Sequence, residues 1–127
     1  MTKLTFPKSR LLPVSIVAAG VTVLAQILWA LTSDGLRDAS TIVGVLAFAT
    51  ASGFHAYVAF GRDFVIKFLA VALIATFVIE VLGVATSFPF GTYEYDLQRL
   101  GISVFGVPLL IPFAWFMMLY PCWLISN

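Results

Sequence analysis

Apolar residues run along this chain in four long stretches, roughly Leu11 to Leu31, Ser40 to Phe60, Phe64 to Ala85 and Val107 to Ile125. Each is close to the length of about 20 residues that a helix needs to cross roughly 30 Å of hydrocarbon. The pattern predicts an all-α fold, a polytopic transmembrane helix bundle of about four spans forming one integral-membrane domain over residues 1–127. The first stretch follows Lys3, Lys8 and Arg10, as the core of a signal peptide would. Its apolar run exceeds the ~7–15 residues of such a core, so it reads as a span that is retained.

Polar positions within these stretches are few and periodic. Thr76, Glu80, Gly83 and Ser87 follow the spacing i, i+4, i+7, i+11 and so share one helix face. Thr22, Gln26, Trp29 and Ser33 repeat the spacing in the first stretch. The first and third spans run in the same direction, which gives Gln26 and Glu80 similar depth. If the two faces meet, they form a polar pocket. A charged acid at mid-bilayer costs about 2.5 kcal/mol or more, so such residues usually face the bundle interior or a cavity. The alternative for Glu80 is an acid near a helix end that reaches up to water. In a pocket, desolvation favours the neutral carboxylic acid, a proton donor to an apolar substrate.

The connection before the fourth stretch is unlike a solvated linker. Between Ser87 and Asp96 it holds four aromatic rings, Phe88, Phe90, Tyr93 and Tyr95, with two acids, Glu94 and Asp96. Rings with polar tips favour the membrane interface, and irregular backbone at membrane depth persists only when covered by protein or lining a cavity. We read the segment as an aromatic-rich outer loop folded onto the bundle; an aromatic belt with acids pointing to water is the other reading. If extended, it puts Tyr93 and Tyr95 on one side and Glu94 and Asp96 on the other.

Composition removes the remaining fold classes. Of 127 residues 61% are apolar and 10% charged, against roughly a quarter charged in soluble domains. The formal charge of +1 leaves no basic surface for nucleic acid, and one Cys with one His offers neither a disulfide nor zinc-ligand spacing. Lys3, Lys8, Arg10, Arg62 and Lys67 fall on one side of the expected spans, and only Arg37 and Arg99 on the other. Cytoplasmic loops carry the excess of Lys and Arg, so both termini are expected in the cytoplasm, with Asp34 to Asp38 and Thr86 to Gly106 on the outer side.

Other residues read as structural. His55 lies nearer the cytoplasmic end, on a face with Gly44, Phe48, Ala51 and Ala59, and reads as a packing histidine. Gly44, Ala47, Ala51 and Ser52 suit close helix contact. Trp115, Met117 and Met118 read as core or lipid-facing. Pro108 and Pro112 are expected in the first turns of the fourth span, while Pro121 is expected to kink or end it.

The run Glu80-Val-Leu-Gly-Val-Ala-Thr-Ser-Phe-Pro-Phe-Gly-Thr-Tyr-Glu-Tyr95, followed by Gly106-Val-Pro-Leu-Leu-Ile-Pro-Phe-Ala-Trp115, resembles the integral-membrane carotenoid biosynthesis proteins. That family includes carotenoid 1,2-hydratases acting on bisanhydrobacterioruberin and γ-carotene. The resemblance is dense from Glu80 to Tyr120. Family members continue with further helices beyond that point, so residues 1–127 are expected to match the N-terminal part of the family architecture. The resemblance implies hydration of the terminal double bond of an acyclic carotenoid, with no redox cofactor. The chemistry then assigns catalytic roles to Glu80 as acid and to Glu94 or Asp96 as base. Tyr93, Tyr95, Phe90, Gln26, Trp29 and Trp115 are the expected substrate contacts. Expected partners are a long polyene and the lipid bilayer, with a second copy or a partner carotenoid enzyme left open. A non-catalytic carotenoid-binding subunit and a cyclase subunit are the competing readings.

Overall fold

The computed structural model describes residues 12–127. The basic residues Lys3, Lys8 and Arg10, and the start of the first apolar stretch at Leu11, lie outside the described residues. Four helices follow in order: α1 Leu12–Leu31, α2 Asp34–Phe60, α3 Arg62–Thr86 and α4 Leu110–Ser126. A short antiparallel ladder, β1 Ser103–Val104 with β2 Val107–Pro108, precedes α4. The first three helices are long and apolar enough to cross a membrane, while α4 has 17 residues. Ile16, Val17, Val23, Leu24, Ile27 and Leu28 stand at least half exposed along α1. A surface that apolar belongs in lipid rather than water. The chain is an all-α, membrane-type bundle.

Small residues decide how the first two helices meet. Ser15, Ala18 and Ala25 are the buried positions of α1, and Gly44 and Ala51 are buried on α2. A Cβ on Gly44 would lie 3.5 Å from both the Ala25 Cβ and the Gln26 amide nitrogen. Ser15 Oγ donates to the Ala51 carbonyl at 2.9 Å, fixing the antiparallel register. Backbones approach closely where side chains are small, which offsets the missing hydrophobic drive between helices in lipid.

The Asp34 to Asp38 connection expected on the outer side is helical instead. The chain turns in Thr32 and Ser33 alone, and Asp34 starts α2, where a negative charge complements the helix dipole. Arg37 closes the turn. Its Nε donates to the Thr32 carbonyl at 2.9 Å, and its guanidinium lies 5.0 Å above the Trp29 ring. At the other end Gly61 joins α2 to α3 in one residue at φ +84°, a conformation that favours glycine.

The interior forms where α2, α3 and α4 meet, around Ala49, Ala56, Ala72, Phe116 and Tyr120. Pro112 lies in the first turn of α4 as expected, but Pro108 belongs to β2, where it and Val107 are fully buried. The expectation placed both in a helix because Val107 opens an apolar run. Pro121 neither ends nor visibly interrupts α4, which continues to Ser126. It has no N–H to offer the Met117 carbonyl, and Ser52 Oγ donates to that oxygen at 3.4 Å.

Candidate functional site

Four residues from three segments converge near the C-terminal end of α3. The buried positions of α3 are Ala72, Thr76, Glu80 and Gly83, so the polar stripe faces inward and Glu80 retains 4% exposure. Its Oε2 accepts from the hydroxyls of Tyr93 and Tyr95, each at 2.8 Å, and its Oε1 accepts from Trp115 Nε1 at 2.7 Å. Neither an unpaired buried charge nor an orphaned polar atom results.

Local chain geometry delivers each donor. Ser87 leaves α3 in the left-handed conformation with its N–H on the Gly83 carbonyl at 2.8 Å, which turns the following segment back over the helix end. Tyr93 and Tyr95 are half-buried while Glu94 and Asp96 are exposed, the alternation expected of an extended strand. Gly83 leaves the space that Tyr93 occupies, since a Cβ there would collide with the phenol hydroxyl. The rings of Tyr93 and Tyr95 meet edge to face at 5.6 Å, and Phe90 lies 6.3 Å from Tyr93 and 6.4 Å from Trp115. The result is a carboxyl group walled by aromatic rings. A second tie holds the segment from outside, where Arg99 grips Asp38 of α2 through three contacts of 2.8 to 3.1 Å.

Both phenols hold their protons tightly. Burial, then the hydrogen bond and charge of Glu80, pushes Tyr93 from the ordinary 10.0 up to about 12, and the same causes push Tyr95 further in the same direction. They remain hydroxyl donors throughout the physiological range. The indole N–H of Trp115 can only donate, so Oε1 is an acceptor whatever the state of the carboxyl.

Residues 40–127 match the model of the family described as carotenoid biosynthesis protein, more than half of the chain. The chain belongs to that family. No curated protein and no solved structure gives a significant match. Glu80, Phe90, Tyr93, Tyr95 and Trp115 all fall within the family segment and all meet at the site.

The remaining expected residues do not meet them. Gln26 is exposed on α1, beside Gly44 of α2, and is not among the hydrogen-bond partners of Glu80. Trp29 is 45% exposed and stacks with Arg37. The pocket expected between the stripes of α1 and α3 does not form, because α1 turns its small residues to α2 and leaves the polar stripe outside. Glu94 is exposed, and the exposed Asp96 accepts from the Gln98 N–H through Oδ1 at 3.2 Å in a local turn; neither is among the hydrogen-bond partners of Glu80.

Two contributions escaped the sequence reading. Trp115 acts through its N–H rather than only as an apolar ring; a buried acid facing a helix that carries indole N–H donors was the available signal. His55 is paired, its Nδ1 lying 2.7 Å from the Tyr120 hydroxyl. Two polar rings in apolar helices that pack together imply such a pair.

Proposed function

We propose that this chain hydrates the terminal double bond of an acyclic carotenoid end group, with Glu80 as the proton source. The observation that carries the reading is one buried carboxyl group with hydrogen-bond donors on both oxygens, enclosed by aromatic faces. The π electrons of the terminal alkene take the proton from the Glu80 carboxyl group at the less substituted carbon. The positive charge then rests on the tertiary carbon, where the faces of Phe90, Tyr93, Tyr95 and Trp115 offer an attraction of about 2 kcal/mol when desolvated. The same step leaves a carboxylate, and the three donors stabilise it as it forms. Water adds to the cation and returns its second proton to Glu80, so the sum is one water added and no cofactor consumed. We give the base role to Glu80 because Glu94 and Asp96 lie on the water-facing edge of their segment.

The test is the pigment profile of a polyene-producing host carrying the chain or its Glu80→Gln variant at equal membrane levels. A product heavier by one water is expected from the unaltered chain, reduced about a hundredfold by the variant, the usual scale of general-acid catalysis. A product of unchanged mass would assign a cyclase, an unaltered pigment a binding subunit, and full hydration by the variant would remove Glu80 from the mechanism.

The reading also sets the orientation. Arg62 and Lys67 mark one end of the bundle, and the site lies at the other, so we infer four crossings with both termini cytoplasmic and the site toward the outer leaflet. At 17 residues, α4 spans about 25 Å. A reporter fused after Asn127 should be active only on the cytoplasmic side, and external activity would reverse the assignment.

A further inference from the structure

The carboxyl group of Glu80 is fully furnished with donors, and those donors stand in its way. A proton passes to an alkene only when the reacting atoms come within about 3–3.5 Å. Glu80 is 4% exposed, and Tyr93, Tyr95 and Trp115 already occupy the approaches to both of its oxygens. Trp115 belongs to α4. The two tyrosines belong to the connection between α3 and α4, so that connection is the part that can clear a path.

Its ends are fixed by backbone hydrogen bonds. Ser87 N–H donates to the Gly83 carbonyl at 2.8 Å, and Leu109 N–H to the Ile102 carbonyl at 2.9 Å. Between these anchors stand Gly91 at φ +87° and Gly101 at φ +83°, and a Cβ at either would meet nothing within 4 Å. Hinges are a few loop positions that absorb changes in φ and ψ, which glycine does at least cost. Among the described residues, two sets of side-chain hydrogen bonds tie the stretch between the glycines to the helices: the phenols on Glu80, and Arg99 on Asp38 of α2. Thr92, Leu97 and Gln98 stay exposed, so little packing backs these ties.

The tie to α2 has the strength of a latch. Arg99 presents Nε and Nη2 to both oxygens of Asp38, a two-pronged grip that fixes orientation. The pair is also open to water, with side-chain exposures of 49% and 24%. Exposed ion pairs hold weakly and are screened by salt. Such a contact favours one position of the segment and still releases it.

We propose that residues 91–101 form a strap that pivots at Gly91 and Gly101 to admit the substrate end group to Glu80, with Asp38 and Arg99 as the latch that holds it shut. The proposal rests on the acid role given to Glu80 above. Closed, the strap supplies the phenol donors; open, it uncovers the carboxyl group.

Dicyclohexylcarbodiimide reads access to Glu80 without turnover. It dissolves in the bilayer and adds to a protonated carboxyl group. The proton passes to one nitrogen, the carboxyl oxygen bonds to the central carbon, and the whole reagent stays on the residue, where peptide mass spectrometry finds it. Labelling follows the open fraction when the strap opens and closes faster than the reagent reacts. With the chain in lipid nanodiscs, Arg99→Gln and Asp38→Asn should each speed labelling of Glu80 about fivefold, equivalent to about 1 kcal/mol. The double variant should go no further, because both changes cut the same contact. Salt at about 1 M should speed labelling of the unaltered chain and leave the variants as they are. Spin labels at Leu36→Cys and Leu97→Cys, two exposed positions, with Cys122→Ser, follow the strap itself. Arg99→Gln should shift their population toward a longer separation. Equal, measurable labelling rates in the unaltered chain and both latch variants, or a separation that Arg99→Gln leaves unchanged, would overturn the proposal. A lengthened separation with no adduct at residue 80 in any chain would leave the strap standing and remove the protonated acid on which the hydratase reading depends.

Discussion

The first and third helices carry polar stripes of the same period, and only one becomes a site. On α3 the stripe is buried and Glu80 receives three donors; on α1 the residues of the stripe lie largely at the surface. The difference lies in what else each helix offers. α1 has a competing face of Ser15, Ala18 and Ala25, narrow enough to pack on Gly44, and that contact turns Gln26 and Trp29 outward. On α3 the small residues that are buried, Ala72 and Gly83, lie on the same face as the polar stripe, so packing and polarity point the same way. Periodicity nominates a face; the neighbouring helix and the strength of the polar group's demand decide its fate. An amide at the surface can be left alone, while a carboxyl in hydrocarbon must find donors.

The most severe way to break this comparison is to alter the two polar centres in turn. Glu80→Gln should reduce hydrated product about a hundredfold, whereas Gln26→Ala should leave it unchanged. Both are read from the pigment extract of the same host, normalised to the amount of chain in the membrane. Equal losses would place α1 back in the site and defeat the contrast between the stripes.

The glycines sharpen the contrast at lower amplitude. Gly83→Ala puts a methyl group where the Tyr93 hydroxyl lies, so the phenol must leave Glu80. Product should fall by about tenfold, the equivalent of 1.4 kcal/mol. Gly20 on α1 has open space around its Cα, and Gly20→Ala should be neutral or slightly stabilising, by up to about 1 kcal/mol in helix propensity. Paired with Tyr93→Phe, the α3 variant should show little further loss, because both changes remove the same hydrogen bond. Additive losses would mean that Gly83 acts other than through Tyr93.

How much of this was legible beforehand follows from the kind of contact involved. The helices, the inward face of α3 and the alternation of Tyr93, Glu94, Tyr95 and Asp96 are local periodicities, and each is present in the structure. The packing of α1 was not legible, because two faces of one helix both satisfied a periodic rule and the choice belonged to α2. Trp115 is offered by the sequence as a core or lipid-facing ring or as a substrate contact, not as a hydrogen-bond donor to Glu80. Its role depends on a register between α3 and α4 that passes through the ladder of Val107 and Pro108, residues the apolar pattern had assigned to a helix. The Asp38–Arg99 tie spans two distant segments and has no local signature.

The smallest expected effect is the response to alkali, and it separates the two stripes by charge. Thr22, Gln26, Trp29 and Ser33 contain no titratable group, so the α1 stripe should respond to no pH below denaturation. Tyr93 is raised from 10.0 to about 12 by burial and by Glu80, which means the folded chain holds that proton more tightly than the unfolded chain. Between those values the folded state binds more protons, so stability falls as pH rises. The contribution is complete below pH 10.0 and is lost as pH passes through about 12. A tyrosinate absorbance titration should therefore show delayed ionisation, part of which disappears in Tyr93→Phe. Over the same interval, hydrogen exchange should open near residues 80–95 before α1 responds. An ordinary phenol titration for Tyr93, complete before the backbone around Glu80 loosens, would show that the phenol is not held against the carboxyl group in the membrane-embedded protein.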